Sequence, residues 1–293
     1  MVLQLLANGI VEGSAFALLA LGFALIFGAS RVFHIAHGSV YAVAGYLLYA
    51  FVTVWRWNFL LSLLLTIALA ALLGILIELL IYRPLANRGA SHMLVLMASI
   101  GTLIFLENLV EVVFGGDNKT VSVAAGLQEG ITLGPVVFTY LQLIGLAVTA
   151  GVLALLNYLR LHTDAGRALR AVTINPTMAR IVGIDIGRAR LLAFGLGSAL
   201  AAVSASLGAI DVGLEPGRGL SVVLIAAIAV LVGGVDTFTG AALGGLLLGI
   251  ALNLGLWRIG AEWREAVAFG VMLGFILARP TGLYGRVLER HEV

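Results

Sequence analysis

The chain has 293 residues, 61% of them hydrophobic and 11% charged, with a formal net charge of +2, 37 glycines and no cysteine. Soluble domains carry charge on about a quarter of their residues, so this composition excludes a soluble enzyme and implies a polytopic membrane protein. Without cysteine there are no disulfides or thiolate metal sites, and no nucleic-acid partner is expected.

A bilayer core of about 30 Å takes about 20 helical residues. On that measure spans are predicted over residues 4–28, 38–55, 59–82, 93–114, 135–159 and 190–211. The first cation is Arg31, so the N-terminus lacks the basic flank of a cleavable signal, and the first span is expected to stay in the mature protein. The apolar tract Gly219 to Trp257 would form a helix of about 58 Å if unbroken. It must therefore divide in two, at Gly233 to Gly240. A last span over 264–279 completes nine crossings. The predicted fold class is all-α: one polytopic transmembrane helical bundle over residues 1–293, of about 8 to 10 helices with broken or re-entrant segments.

Alternate connections gather Arg31, then Arg83 and Arg88, then Arg160, Arg167, Arg170, Arg180, Arg188 and Arg190, then Arg279, Arg286 and Arg290. The positive-inside rule makes these cytoplasmic, with the N-terminus outside and the C-terminus inside. Arg56, Lys119, Arg218, Arg258 and Arg264 fall on the other side. Trp55, Trp57, Trp257 and Trp263 then all lie at outer helix ends, as an interfacial aromatic belt requires. Glycines four apart (Gly9/Gly13, Gly240/Gly244, Gly245/Gly249, Gly270/Gly274) suit close helix packing.

Three stretches could carry chemistry. Between the first two spans, His34, His37 and Gly38 fit either an ordinary polar turn or a broken helix lining a pathway. A metal site is not expected there, because no further ligand cluster supports it. The break at Gly233 to Gly245 holds Asp236, Thr237 and Thr239, and Asp236 could cap a helix as well as meet a solute. Of the intramembrane acids, Glu78 can snorkel or pair near Tyr82 and Arg83, and Glu111 lies near an outer end. Glu12 and Glu107, the latter beside Asn108, are deeper and suit a polar lumen or a helix-to-helix hydrogen bond. No hydrolase triad, HExxH pattern or phosphate loop is present, so the chain is not expected to be an enzyme.

The basic loop, about 160–189, has its own local structure. Thr163 or Asp164 is expected to cap a short helix through Val172 with Arg167 and Arg170 on one face. Asn175 and Pro176 form an N-cap and N1 pair opening a second turn that Gly183 closes. A solvated positive-inside loop would account for the arginines, but Ala168, Ala171, Met178, Ala179 and Ile181 interleave apolar surface into a segment that should then be wet, which points to a docking platform.

Read in order, Ala36-His37-Gly38, Tyr82-Arg-Pro-Leu85, Ser99-Ile-Gly101, Phe114-Gly115, Gly166-Arg-Ala-x-Arg-Ala171, Met178-Ala179, Gly183-Ile184, Gly233-Gly234, Gly240-Ala241, Gly244-Gly245, Arg279-Pro280 and Gly282-Leu283 resemble the permeases of branched-chain amino acid ABC importers, the LivH-type family, over almost the whole length. The chain departs from that family at His34, where Asn is usual, and at Asp236-Thr237, where Gly-Ser is usual. The resemblance implies a permease subunit in a bacterial-type inner membrane, paired with a second homologous permease. Two cytoplasmic ATPases and a periplasmic or tethered substrate-binding protein complete the machine. ATP and Mg²⁺ would then sit on the ATPases, with no cofactor in this chain. It implies coupling through Gly166, Arg167, Arg170, Asn175, Pro176, Met178 and Ala179, and a solute pathway past His34, His37, Gly38, Glu107, Asn108 and Asp236. Urea, short amides and aromatic carboxylates are alternative cargoes within the resemblance. An ion-coupled secondary transporter using Glu12, Glu107 or Asp236 is the rival from another class.

Overall fold

A computed structural model describes residues 1–121, 127, 129–235, 237–279 and 281–285. Asp236, Pro280, Arg286 and Arg290 lie outside the described residues. The helices are α1 (Val2–Ser30), α2 (His37–Tyr49), α3 (Phe59–Ile77), α4 (Arg83–Asn87), α5 (His92–Phe114), α6 (Tyr140–His162), α7 (Asp164–Ile174), α8 (Pro176–Ile181), α9 (Ile186–Asp211), α10 (Gly219–Gly233), α11 (Phe238–Ile259) and α12 (Arg264–Ala278). One π-helical turn, Ala50–Val54, extends α2, and another, Glu78–Tyr82, joins α3 to α4.

Boundaries follow local chemistry. The Asn58 side chain accepts from the Leu60 and Leu61 amides to start α3, and Ser91 accepts from Leu94 to start α5. Thr139 and Gln142 form a reciprocal capping box that opens α6. The span predicted from residue 135 therefore begins five residues later. Ahead of it a short hairpin pairs β1 (Gly130–Leu133) with β2 (Val136–Thr139), because Gly134-Pro135 turns the chain and β-branched residues follow. The Gln4 side chain brackets Val137, donating to its carbonyl oxygen and accepting from its amide at 2.8 Å each.

Among the described residues, seven helices are long and apolar enough to cross a membrane. The predicted tract divides as expected, α10 ending at Gly233 and α11 starting at Phe238. At 15 residues each, α10 and α12 are about 22 Å long, short of a bilayer core.

The bundle is built twice. α1 packs along α11 as α9 packs along α3; α1 meets α10 as α9 meets α2; α5 flanks α2 as α12 flanks α10. Counting passages, α9 is the sixth and α1 the first, so the two units run in opposite senses. Reciprocal glycine contacts mark the axis between them. A Cβ on Gly22 would lie 2.6 Å from the Gly197 carbonyl oxygen, and one on Gly197 would lie 2.7 Å from that of Gly22. Gly38 and Gly219 abut in the same way. With side chains at these four points the backbones could not approach so closely. The interleaved Gly9/Gly13 and Gly245/Gly249 seat α1 on α11, whereas Gly270 and Gly274 face open space.

Candidate functional site

α2 starts deep inside the bundle. After α1 the backbone turns at Arg31, φ 56°, and returns without helix through Val32 to His34. The His37 ring then meets the Leu19 carbonyl, with Nε2 3.3 Å from the oxygen. Leu19 lies 11 residues before the end of α1, so the α2 N-terminus sits about 16 Å in from that end. Its partner is the N-terminus of α10, where Gly219 abuts Gly38. Two half-helix starts thus meet near mid-depth.

Helix N-termini placed there need polar partners, because lipid offers none. α5 supplies two. The Ala36 amide donates to Ser99 Oγ at 3.0 Å, and the Gly219 amide donates to Glu107 Oε1 at 2.8 Å. Ser99 also accepts from the Tyr82 hydroxyl at 2.7 Å, and Tyr82 Oη lies 2.8 Å from His34 Nδ1. If Tyr82 donates to Ser99, His34 must carry its proton on Nδ1, leaving Nε2 as a buried lone pair without a partner among the described residues. His34, His37 and Tyr82 are all fully buried or nearly so. Asn108 instead lies on the exposed face of α5, its amide donating to the Ile104 carbonyl.

A cavity lies on either side of this junction. One, of about 420 Å³, opens at the end of the bundle holding the basic loops and is lined by Arg31, Phe33, Tyr82, His92 and Arg190 among others. The other, of about 450 Å³, opens at the tryptophan end and reaches Leu19, Tyr41 and Ile225. Its lining omits His34, His37, Gly38, Glu107 and Asn108, while Asp236 lies outside the described residues. Glu12 is in its wall, held by Arg264 and by Asn253, whose Nδ2 donates at 2.6 Å. The mirrored pair at the basic end is Glu78 with Arg190: Nε lies 2.7 Å from Oε1, and Nη2 donates to Oε2 at 3.0 Å. The partner of Glu78 is therefore on α9, 112 residues away, rather than the adjacent Arg83.

The basic loop folds as two short helices. Thr163 caps α7 by accepting from the Gly166 amide, and Asn175 caps α8 by accepting from Met178 at 3.0 Å, with Pro176 at N1. Gly183, φ 85°, ends it. A Cβ on Gly166 would strike the backbone of Leu159 and Arg160, so glycine lets α7 cross the end of α6. Leu169, Val172 and Ala179 pack inward with Ala29, Ala189 and Ala193. Arg167 pairs with Asp164, and Arg170 is half-buried. The outer face is apolar: Ile174 is 77% exposed, Met178 59%, Ile181 72% and Val182 73%. Arg31 Nη2 donates to the Thr173 carbonyl at 2.9 Å, tying α7 to the turn that leads to His34.

The structure thus gathers His34, His37, Gly38 and Glu107 at one junction and the six loop residues from Gly166 to Met178 on the helix pair, with Ala179 buried beneath. Sequence reasoning passed over Tyr82 and Ser99, which sit inside two of the quoted motifs, and Arg218 and Tyr41, which no local pattern marks.

Comparison with known proteins gives one consistent family. A family model described as branched-chain amino acid transport system, permease component, matches residues 5–276. The high-affinity branched-chain amino acid transport system permease protein BraD of Pseudomonas aeruginosa is 35% identical over 97% of this chain and 96% of its own. The LivH permease protein of Escherichia coli is 29% identical over the same shares. A solved structure, PsaBC from Streptococcus pneumoniae in complex with Fab, shares the fold with a TM-score of 0.53 at 14% identity, covering 94% of this chain and 92% of that one.

Proposed function

Because the chain belongs to the family of branched-chain amino acid transport permease components, we propose that it is the membrane-spanning subunit of an ATP-driven importer for leucine, isoleucine, valine or a related small polar solute. It is a multi-pass membrane protein. The tryptophan end faces outward and the basic loops, with the C-terminus, face the cytoplasm of a bacterial-type inner membrane.

The observation that carries the reading is the helix pair α7–α8. A capped, rigid projection with four exposed apolar residues in an arginine-rich loop is what a partner groove requires and what a solvated loop avoids. Two such permeases with two cytoplasmic ATPases, fed by a periplasmic or tethered binding protein, make the working unit. ATP and Mg²⁺ act on the ATPases, and this chain holds no cofactor of its own. The exposed stripe Gly101, Ile104, Asn108 and Glu111 on α5 supports the pairing, since polar side chains facing lipid are costly. ATPase closure would press on Gly166, Arg167, Arg170, Asn175, Pro176 and Met178, with Ala179 as the internal contact. The push would travel through α9 and Arg31 to the α2/α10 junction at His34, His37, Gly38 and Glu107, with Asp236 in the proposed pathway and Asn108 on the face proposed for pairing.

Urea, short amides and aromatic carboxylates remain the alternative cargoes. An ion-coupled carrier would need a carboxylate free to take up a proton or Na⁺, whereas Glu12 is held by Arg264 and Asn253, and Glu107 by Gly219. Leucine uptake by cells expressing the complete set of subunits tests the choice: it should survive a protonophore while ATP is maintained. Uptake that collapses with the proton gradient at constant ATP would refute the proposal.

A further inference from the structure

We propose that the cavity at the tryptophan end is a solute-binding vestibule within a single permease copy, shaped for a zwitterionic α-amino acid with an aliphatic side chain. The inference rests on the import reading above and assigns a site to it. The cavity, about 450 Å³, falls in the range of small-ligand sites, which combine apolar walls with a few polar groups. Part of its polar wall comes from the loop between α9 and α10. The Arg218 guanidinium lines it and makes no hydrogen bond or ion pair among the described residues, unlike Arg264 opposite, which is engaged by Glu12. Glu215, three residues before Arg218, lines the same cavity with its carboxylate likewise uncommitted. Tyr41 adds a hydroxyl without a hydrogen-bond partner among the described residues.

The floor is different in kind. Ile225 lies seven residues into α10 from Arg218, about 10 Å deeper, and with Leu19 and Val222 closes the cavity with buried aliphatic surface. Arg218 without an ion pair, beside the carboxylates of Glu215, Glu262 and Glu265, which likewise have none among the described residues, offers partners above an aliphatic floor for an amino acid's carboxylate, ammonium and side chain. Five carboxylates and two guanidinium groups line the whole cavity, so its field opposes a simple anion such as an aromatic carboxylate, while a neutral amide would leave Arg218 unanswered.

The natural absence of cysteine makes the test direct. In the full chain in lipid nanodiscs, Ser221→Cys places the sole thiol in the cavity wall, and its labelling by a membrane-impermeant maleimide is timed with and without leucine. Leucine should slow labelling about tenfold at saturation, with urea and benzoate ineffective. Adding Arg218→Ala should weaken that protection by about tenfold or more, the scale of one lost charge-assisted hydrogen bond, and Arg218→Lys should keep part of it. Monodisperse elution and unchanged labelling without leucine show that the variants are folded. Labelling indifferent to leucine, or protection equal in Arg218→Ala, overturns the vestibule. Leucine uptake by the assembled transporter is measured alongside: uptake without protection fails the vestibule alone, whereas no uptake fails the import reading while the labelling still decides the site.

Discussion

Arg190→Ala isolates the ion pair that joins α9 to the π-helical turn after α3. Glu78 is 2% exposed, and two guanidinium nitrogens lie against its two carboxylate oxygens at 2.7 and 3.0 Å. Removing the arginine strands a buried carboxylate, which costs about 3–5 kcal/mol, whereas removing both charges in favour of neutral groups of similar size is close to neutral. Arg190→Ala should therefore destabilise by about 3–5 kcal/mol, and the double variant Glu78→Gln/Arg190→Gln should recover to within about 1 kcal/mol of the parent. Equilibrium unfolding of the purified chain in mixed detergent micelles, read by tryptophan fluorescence, gives both numbers. A single variant within about 0.5 kcal/mol of the parent, the range of an unremarkable surface change, would refute the buried pair. So would a double variant as damaged as the single one.

Gly22→Ala would drive a methyl to 2.6 Å from the Gly197 carbonyl oxygen, with the buried His37 ring 3.1 Å away closing the remaining space; a loss of monodisperse protein on size exclusion is expected, with unchanged yield contradicting the packing. Tyr82→Phe strips the hydroxyl from between His34 and Ser99, costing about 1–3 kcal/mol for each buried group left unpaired; the same unfolding assay reads it, and a shift near zero would mean that the chain of bonds is not formed. Met178→Asp with Ile181→Asp changes only exposed side chains, so stability should hold within about 0.5 kcal/mol while ATPase co-purification and uptake are lost. Retention of both would remove α8 from the coupling surface.

The long helices were legible because hydropathy and length are local properties. The reading 93–114 became His92–Phe114, and 190–211 became Ile186–Asp211. Capping was legible for the same reason, as Thr163, Asn175 and Gly183 act within one turn of themselves. Depth was not. Nothing in the run from Arg31 to Gly38 tells that the chain doubles back about 16 Å before α2 begins, since that is decided by Leu19 and Gly219 on other elements. Pairing was hidden too: Glu78 has Arg83 nearby in sequence but meets Arg190, and Glu12 meets Arg264. The doubled architecture leaves little trace in residue identity because its two halves need only glycine at Gly22, Gly38, Gly197 and Gly219 and apolar bulk elsewhere. Ile174 and Val182 joined the exposed face of the loop helices for a geometric reason. They flank α8, and their direction is set by the caps at Asn175 and Gly183.

In the proposed function this chain is a gate moved by separate ATPases through α7 and α8. Reconstitution into proteoliposomes tests it most directly, comparing the permease pair alone with the same pair carrying its ATPases and loaded binding protein. Leucine accumulation is predicted only in the complete assembly, only with ATP, and is lost in the Met178→Asp/Ile181→Asp form. Accumulation by the permeases alone under an ion gradient would contradict it.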